Sequence, residues 1–199
     1  MKANLRTLAI ATCLALGTCA QAEGVFVRPE LSYNFVSLNG SNANGINIKD
    51  GLGYGIAVGN RFGTQDESEF GVSVGAMRFS LSPSAVGGVG SGNLKAIPLL
   101  ANYRYYFGAK ANAVRCYLAP SIGWTTVKTN YTILSGGTMM SNGSTGGNFT
   151  GCAGVGAVVK LENTVDLDFG YRYVGGLKVR NTNIKITDGA LYAGLNFRF

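Results

Sequence analysis

Proton transfer near neutral pH most often falls to histidine, and this chain of 199 residues contains none. A hydroxyl nucleophile needs an adjacent base or another activating group, and no serine here has nucleophile-elbow spacing. Of four cysteines, Cys13 and Cys19 lie in the N-terminal segment, leaving Cys116 and Cys152, too few for a cysteine-rich zinc site. Glycine clusters such as Gly87-Gly88-Val89-Gly90 and Gly146-Gly147 lack the strand–loop–helix setting of a phosphate cradle and read as loops. No cofactor is therefore expected, and catalysis is the disfavoured class. What remains is charge set among apolar residues: Arg28, Glu30, Asp166, Asp168, Arg172 and Arg198. If such groups are buried they must pair, because losing one partner strands the other in a low dielectric.

The segments that carry these charges have a period of two. Leu52, Tyr54, Ile56, Val58 and Phe62 alternate with Gly53, Gly55, Ala57, Gly59 and Arg61. Val165, Leu167, Phe169, Tyr171 and Tyr173 alternate with Asp166, Asp168, Gly170 and Arg172. Successive side chains on a strand point to opposite faces, so each segment has an oily side and a polar side. Eight strands are predicted, at 24–36, 51–62, 69–79, 94–107, 115–127, 149–161, 164–176 and 188–199. Each has about the 9–11 residues that cross a bilayer at a tilt. Connections 63–68, 108–114 and 162–163 are short, whereas 37–50, 80–93, 128–148 and 177–187 are long. Short turns at one end and long loops at the other define the expected fold class. It is all-β, a closed eight-stranded antiparallel transmembrane β-barrel with short periplasmic turns and long extracellular loops. The larger apolar faces then point to lipid, and glycine, arginine, aspartate and asparagine line a small polar lumen. On the third strand this parity exposes Arg78, which either reaches lipid headgroups or sits beyond a parity-reversing bulge.

The N-terminal residues read as a cleaved secretory signal over 1–22, with 23–199 as the barrel domain. Lys2 and Arg6 precede an apolar stretch, and Ala20-Gln21-Ala22 supplies the small-residue cleavage pattern. Leu16-Gly17-Thr18-Cys19 partly resembles a lipoprotein box, but Thr18 stands where that box takes a smaller residue. Losing Lys2 and Arg6 lowers the formal charge from +7 to +5 (7 − 2). For an exported, mildly basic protein, anionic lipid is the expected partner and nucleic acid is not. At the other end, Leu191, Ala193, Leu195, Phe197 and Phe199 alternate with Tyr192, Gly194, Asn196 and Arg198.

That closing pattern resembles the last strand of bacterial outer-membrane barrels, in which a terminal Phe is the assembly signal. With the signal segment and the loop asymmetry, residues 24–199 resemble the eight-stranded family of the OmpA transmembrane domain and the OmpX/Ail proteins. The resemblance implies bacterial outer-membrane localisation, passage through the barrel-assembly machinery, and Phe197 and Phe199 as the C-terminal assembly signal. It implies no single activity, since members include anchors, adhesins, evasion factors and lipid-modifying enzymes. The lipid-modifying and proteolytic barrels use a catalytic histidine, which this chain lacks. The peptidoglycan tether of full-length OmpA is not expected to carry over.

The expected function is therefore a structural role in the envelope, surface recognition through extracellular loops, or both. Alternatives are a narrow ion-conducting barrel, a lipid-modifying barrel enzyme and a soluble periplasmic β-barrel binding protein. Three groups of residues carry specific expectations. Arg28, Glu30, Asp166, Asp168, Arg172 and Arg198 form an interior ion-pair network. Lys178, Arg180 and Lys185, with Lys49, Lys95 and Lys128, contact lipopolysaccharide phosphates, opposed externally only by Asp50 and Asp188, while Asp66, Glu67, Glu69 and Glu162 lie in periplasmic turns. Loop 128–148 carries Tyr131, Ile133, Leu134, Met139 and Met140, has room to extend the fifth and sixth strands in part as a protruding hairpin, and either recognises a host or envelope partner or is a tip without a ligand. Aromatic girdles are expected from Phe62, Phe70, Tyr105, Phe107, Phe197 and Phe199 at the periplasmic rim. Tyr33, Phe35, Tyr54, Trp124, Phe149, Tyr171 and Tyr173 form the outer one. No disulfide is expected between Cys116 and Cys152, which fall at opposite membrane levels.

Overall fold

Main-chain groups inside a bilayer must bond to one another, and a ring of strands does this without leaving an edge. The computed structural model describes residues 24–39, 46–85, 88–135, 138–178 and 185–199; the segment 1–22, expected as a signal, lies outside them. The strands are β1 (Val25–Asn39), β2 (Ile46–Phe62), β3 (Ser68–Ala85), β4 (Gly88–Tyr106), β5 (Val114–Ser135), β6 (Thr138–Lys160), β7 (Val165–Lys178) and β8 (Lys185–Arg198). Each pairs antiparallel with the next, and β8 returns to β1 to close the barrel. At the seam Val27 faces Phe197 and Tyr33 faces Leu191. The seam continues to its periplasmic end, where the Phe199 N–H donates to the Val25 carbonyl at 2.9 Å and the Gly24 N–H to the Phe199 carbonyl at 3.2 Å. Tight connections at this end use left-handed backbone at Gly63 (φ 98) and Gly108 (φ 90), a region open to a residue without Cβ.

Expected strands and observed strands share their membrane portions but differ above them. Segments 37–50, 80–93 and 128–148, expected as loops, are mostly strand. The lipid-facing alternation ends there, which marks the end of the bilayer rather than the end of pairing. Thr129, Tyr131, Thr132 and Ile133 still suit extended backbone, and the β5–β6 ladder runs up to Ser135 opposite Thr138. Of 177–187, Lys178 and Lys185 are paired and 179–184 lie outside the described residues. Strand lengths are uneven: β5 and β6 have 22 and 23 residues, β7 and β8 have 14 each. A crossing takes about 9–11, so the β5–β6 ribbon stands roughly a dozen residues clear of the membrane.

Period two sorts the side chains as the fold requires. Leu31, Leu52, Val72, Leu99, Ile122, Val155 and Leu191 are exposed on the outer wall, together with all thirteen girdle aromatics named above. Arg28, Arg61, Arg104, Asp166 and Asp168 are buried in the lumen. Parity on β3 is unbroken, so Arg78 is exposed, and the register shift lies instead on β2 between Lys49 and Leu52. Close packing inside needs glycine at one notable position: a Cβ on Gly156 would lie 2.4 Å from the Tyr117 hydroxyl. Cys116 faces out opposite Ala157, while Cys152 faces in opposite Ser121; both thiols are free.

Because β8 supplies both its own rung and the seam with β1, removing Leu195–Phe199 leaves β1 and β7 with unpaired main chain in hydrocarbon. The truncated protein should fail to form a heat-modifiable species on detergent gels. A normal gel shift and outer-membrane insertion would contradict this account of closure.

Candidate functional site in the lumen and on the outer rim

The periplasmic half of the lumen is filled by salt bridges from six strands. Rung geometry explains the centre: Arg61 on β2, Glu69 on β3 and Arg104 on β4 stand directly opposite one another. Glu69 accepts from Arg28 Nη1 at 2.8 Å and Arg61 Nε at 3.1 Å, with Arg104 Nε 3.6 Å away. Asp168 takes Arg104 Nη1 and, at 3.3 Å, Arg28 Nε. Asp166 joins Arg61 Nη1 at 3.1 Å and Arg198 Nη2 at 3.0 Å. Tyr106 donates to Glu69 at 2.7 Å, and Tyr117 donates to Asp168. Arginine planes also lie over rings, Arg61 4.7 Å from Tyr106 and Arg104 4.4 Å from Tyr117. Three carboxylates thus hold four arginines, Arg28, Arg61, Arg104 and Arg198, and the arginines occupy the carboxylate oxygens that a general base or a metal would need.

Six residues were expected to form this network, and they divide. Arg28 meets Asp168 and Arg198 meets Asp166, but Glu30 and Arg172 form a separate pair at 2.9 Å. The links between these contacts are Glu69, Arg61 and Arg104. Glu69, expected in a periplasmic turn with Asp66 and Glu67, is instead buried on β3. Its parity with Gly71 and Ser73, opposite the outward Phe70, is the signal that places it inside. Asp188 is also corrected, from an external charge to a lumenal one. Only 1% exposed, it follows the parity of the buried Ala190 and Tyr192, and among the described residues neither of its oxygens has a hydrogen-bond partner.

Nor is the lumen polar throughout. Above the salt bridges lies a cavity of about 10 Å³, room for one water, lined by Glu30, Ser73, Asn102, Ser121 and Arg172 among others. The outer half is closed by Met77, Phe79, Leu81, Leu94, Ala96, Leu100, Val127, Cys152, Val174 and Ile186. On β3 the inward Met77, Phe79 and Leu81 belong to this plug, while Arg78 and Ser80 between them are exposed on the outer wall. Among the described residues, no group of three or more cysteine or carboxylate side chains is placed to hold a metal ion.

On the rim, the expected recognition residues lie on the raised β5–β6 ladder, the protruding-hairpin form of this segment. Ile133 is opposite Met140, Leu134 opposite Met139, and Tyr131 opposite Asn142. Of the expected lipopolysaccharide contacts, Lys178 and Lys185 are opposite one another at the last rung of β7–β8, and Arg180 lies outside the described residues. Lys49, Lys95 and Lys128 are exposed on the outer wall. Near the periplasmic turns, Asp66 pairs with Lys110 at 2.8 Å.

Comparison with known proteins agrees with this architecture. A family model described as outer membrane protein beta-barrel domain matches residues 7–199. No curated protein matches the sequence. Among solved structures, Neisserial surface protein A is similar at TM-score 0.56 and 21% identity, over 88% of this chain and 97% of that one. Ail, the attachment invasion locus protein of Yersinia pestis, is similar at TM-score 0.55 and 17% identity, over 89% and 100%. The outer membrane protease OmpT of Escherichia coli is similar at TM-score 0.53 and 7% identity, over 89% and 94%. At these identities the likeness is one of fold.

Two outcomes follow from the lumen. Glu69→Gln leaves three arginines short of charge and should lower unfolding stability in detergent by about 3–5 kcal/mol, the usual loss when one member of a buried pair is removed. Glu30→Gln, which disturbs one outlying pair, should cost less; equal midpoints for Glu69→Gln and wild type would remove Glu69 from the centre. In planar bilayers the plugged lumen should give no steady conductance, and a stable solute-selective current would contradict the closure.

Proposed function

Since the chain belongs to the outer membrane protein beta-barrel family and resides in the bacterial outer membrane, we propose that it is a non-enzymatic barrel presenting a recognition ribbon outside the cell. The observation that carries this reading is the height of β5 and β6, which continue as a paired ladder far beyond the length a bilayer requires. A wall whose only task is to close needs no such extension, and β7 and β8 do without it. The ribbon has an apolar sequence at its top, with Tyr131, Ile133, Leu134, Met139 and Met140 among serine, threonine, asparagine and glycine. Such a surface suits a host or envelope partner, while outer-leaflet lipopolysaccharide surrounds the wall below and the assembly machinery inserts the barrel through its Phe197–Phe199 strand. Against catalysis stand the absence of histidine and the commitment of the lumenal carboxylates to arginine.

Register supplies a clean test. Thr129 and Ser144 are opposite one another, so replacing 130–143 with an Asn-Gly turn joins paired neighbours. Cells carrying this variant should keep a heat-modifiable barrel at the surface and lose adhesion or serum-factor binding. A folded variant with every such surface property intact would refute ribbon recognition and leave the fold untouched.

A further inference from the structure

On β3, β4 and β5 the outer wall is mostly apolar up to one rung and polar above it. Two rungs below the change, Ile56, Val74, Leu99, Trp124 and Phe149 stand side by side. One rung above it stand Lys49, Ser80, Asn93 and Asn130, all exposed. The boundary rung itself is cationic: Arg78 is directly opposite Lys95, and Lys95 is directly opposite Lys128. All three side chains are exposed, on the same parity as the lipid-facing Val74, Leu99 and Trp124.

Adjacent strands are about 4.8 Å apart, so three positive charges occupy roughly 10 Å of wall. Like charges directly opposite on a sheet are destabilising. Among the described residues none of the three forms an ion pair, the salt bridges all lying elsewhere. Asp50, the exposed carboxylate on β2, is held by the Tyr33 hydroxyl at 3.4 Å. The row is therefore an arrangement whose repulsion an external anion would relieve. Its place at the upper limit of the apolar wall fixes where that anion comes from.

We propose that Arg78, Lys95 and Lys128 form a lateral binding site for the phosphates of an outer-leaflet glycolipid of the lipopolysaccharide class. This rests on the outer-membrane reading above, adds Arg78 to the expected contacts Lys95 and Lys128, and centres the lipid contact on the flank of the tall wall rather than on the β7–β8 tip. Arg78 offers a guanidinium fork to one phosphate, and the two lysines act as point charges on the same or a second phosphate. The acyl chains then run down over Ile97, Leu99 and Trp124, where the wall is apolar and exposed.

Trp124, the chain's single tryptophan, lies on the same strand and parity as Lys128 and so reports on the site. The full chain is reconstituted in phosphatidylcholine nanodiscs and titrated with bisphosphorylated lipid A. Parallel titrations use the dephosphorylated lipid, phosphatidylglycerol and inorganic phosphate. Trp124 emission and the unfolding temperature are read, and a gel shift confirms that each variant is folded. Bisphosphorylated lipid A should bind best, and the R78Q/K95Q/K128Q variant should bind it about tenfold or more weakly. Without lipid A that variant should unfold at a higher temperature than wild type, and with lipid A at a lower one. Lys160→Gln, at the periplasmic end, should change neither reading. Unchanged binding by the triple variant would overturn the site, as would equal responses to dephosphorylated lipid, phosphatidylglycerol or inorganic phosphate. Loss in K178Q/K185Q but not in the row variant would keep lipopolysaccharide as a partner at the tip and overturn the flank site. The ribbon replacement should bind lipid A normally, so failure of ribbon recognition and failure of this site are read separately.

Discussion

Everything in this molecule follows from main-chain hydrogen bonds that water cannot satisfy. Within hydrocarbon an unpaired N–H or carbonyl costs several kcal/mol, so the eighth strand has to find the first. Once the ring is closed, alternation has only two destinations, lipid outside and lumen inside. An eight-stranded ring leaves an interior that side chains fill. The outer wall can therefore be apolar without forming a core, and the core has to be made of whatever points inward. In this chain that is an ionic layer below and an apolar layer above.

The two layers do different work. Hydrophobic side chains such as Phe79, Leu94 and Ile186 pack with little demand on direction. Glu69, by contrast, binds arginines from β1, β2 and β4 at defined angles, so it ties the relative rotation of four strands to one carboxylate. Arg61, Glu69 and Arg104 share a rung, and a register slip of one residue on any of their strands would turn one of them out to lipid. The charged layer thereby disfavours misregistered barrels, a role independent of how much net stability it contributes.

Much of this was legible in the chain because alternation is a local signal. Strand number, the outward aromatics and the inward Arg28, Asp166, Asp168 and Arg172 could be read from parity alone. The partners could not. Glu69 follows Asp66 and Glu67, and that run of acids reads as a turn until the register sets it between two arginines. Asp188 sits in Thr187-Asp188-Gly189, a composition typical of turns, although its parity with Ala190 and Tyr192 already pointed inward. Strand ends were misplaced for a different reason. Apolar alternation reports contact with lipid, and β5 and β6 continue where lipid stops, held by a ladder that any side chain tolerates.

The unbroken β5–β6 ladder has a mechanical consequence. Force applied to the top of an antiparallel hairpin opens its rungs one at a time, each alone bearing the load. β5 stays bonded to β4 as well as to β6 up to Ser135, whereas β6 is bonded to β5 alone before Gly151; lower down β6 is bonded also to β7, and a pull along it must shear many rungs together. The upper part of β6 is thus the weak segment in series with a stiff wall. Under tension from a bound surface it would peel and lengthen before the barrel yields, and it would close again along the same register when released.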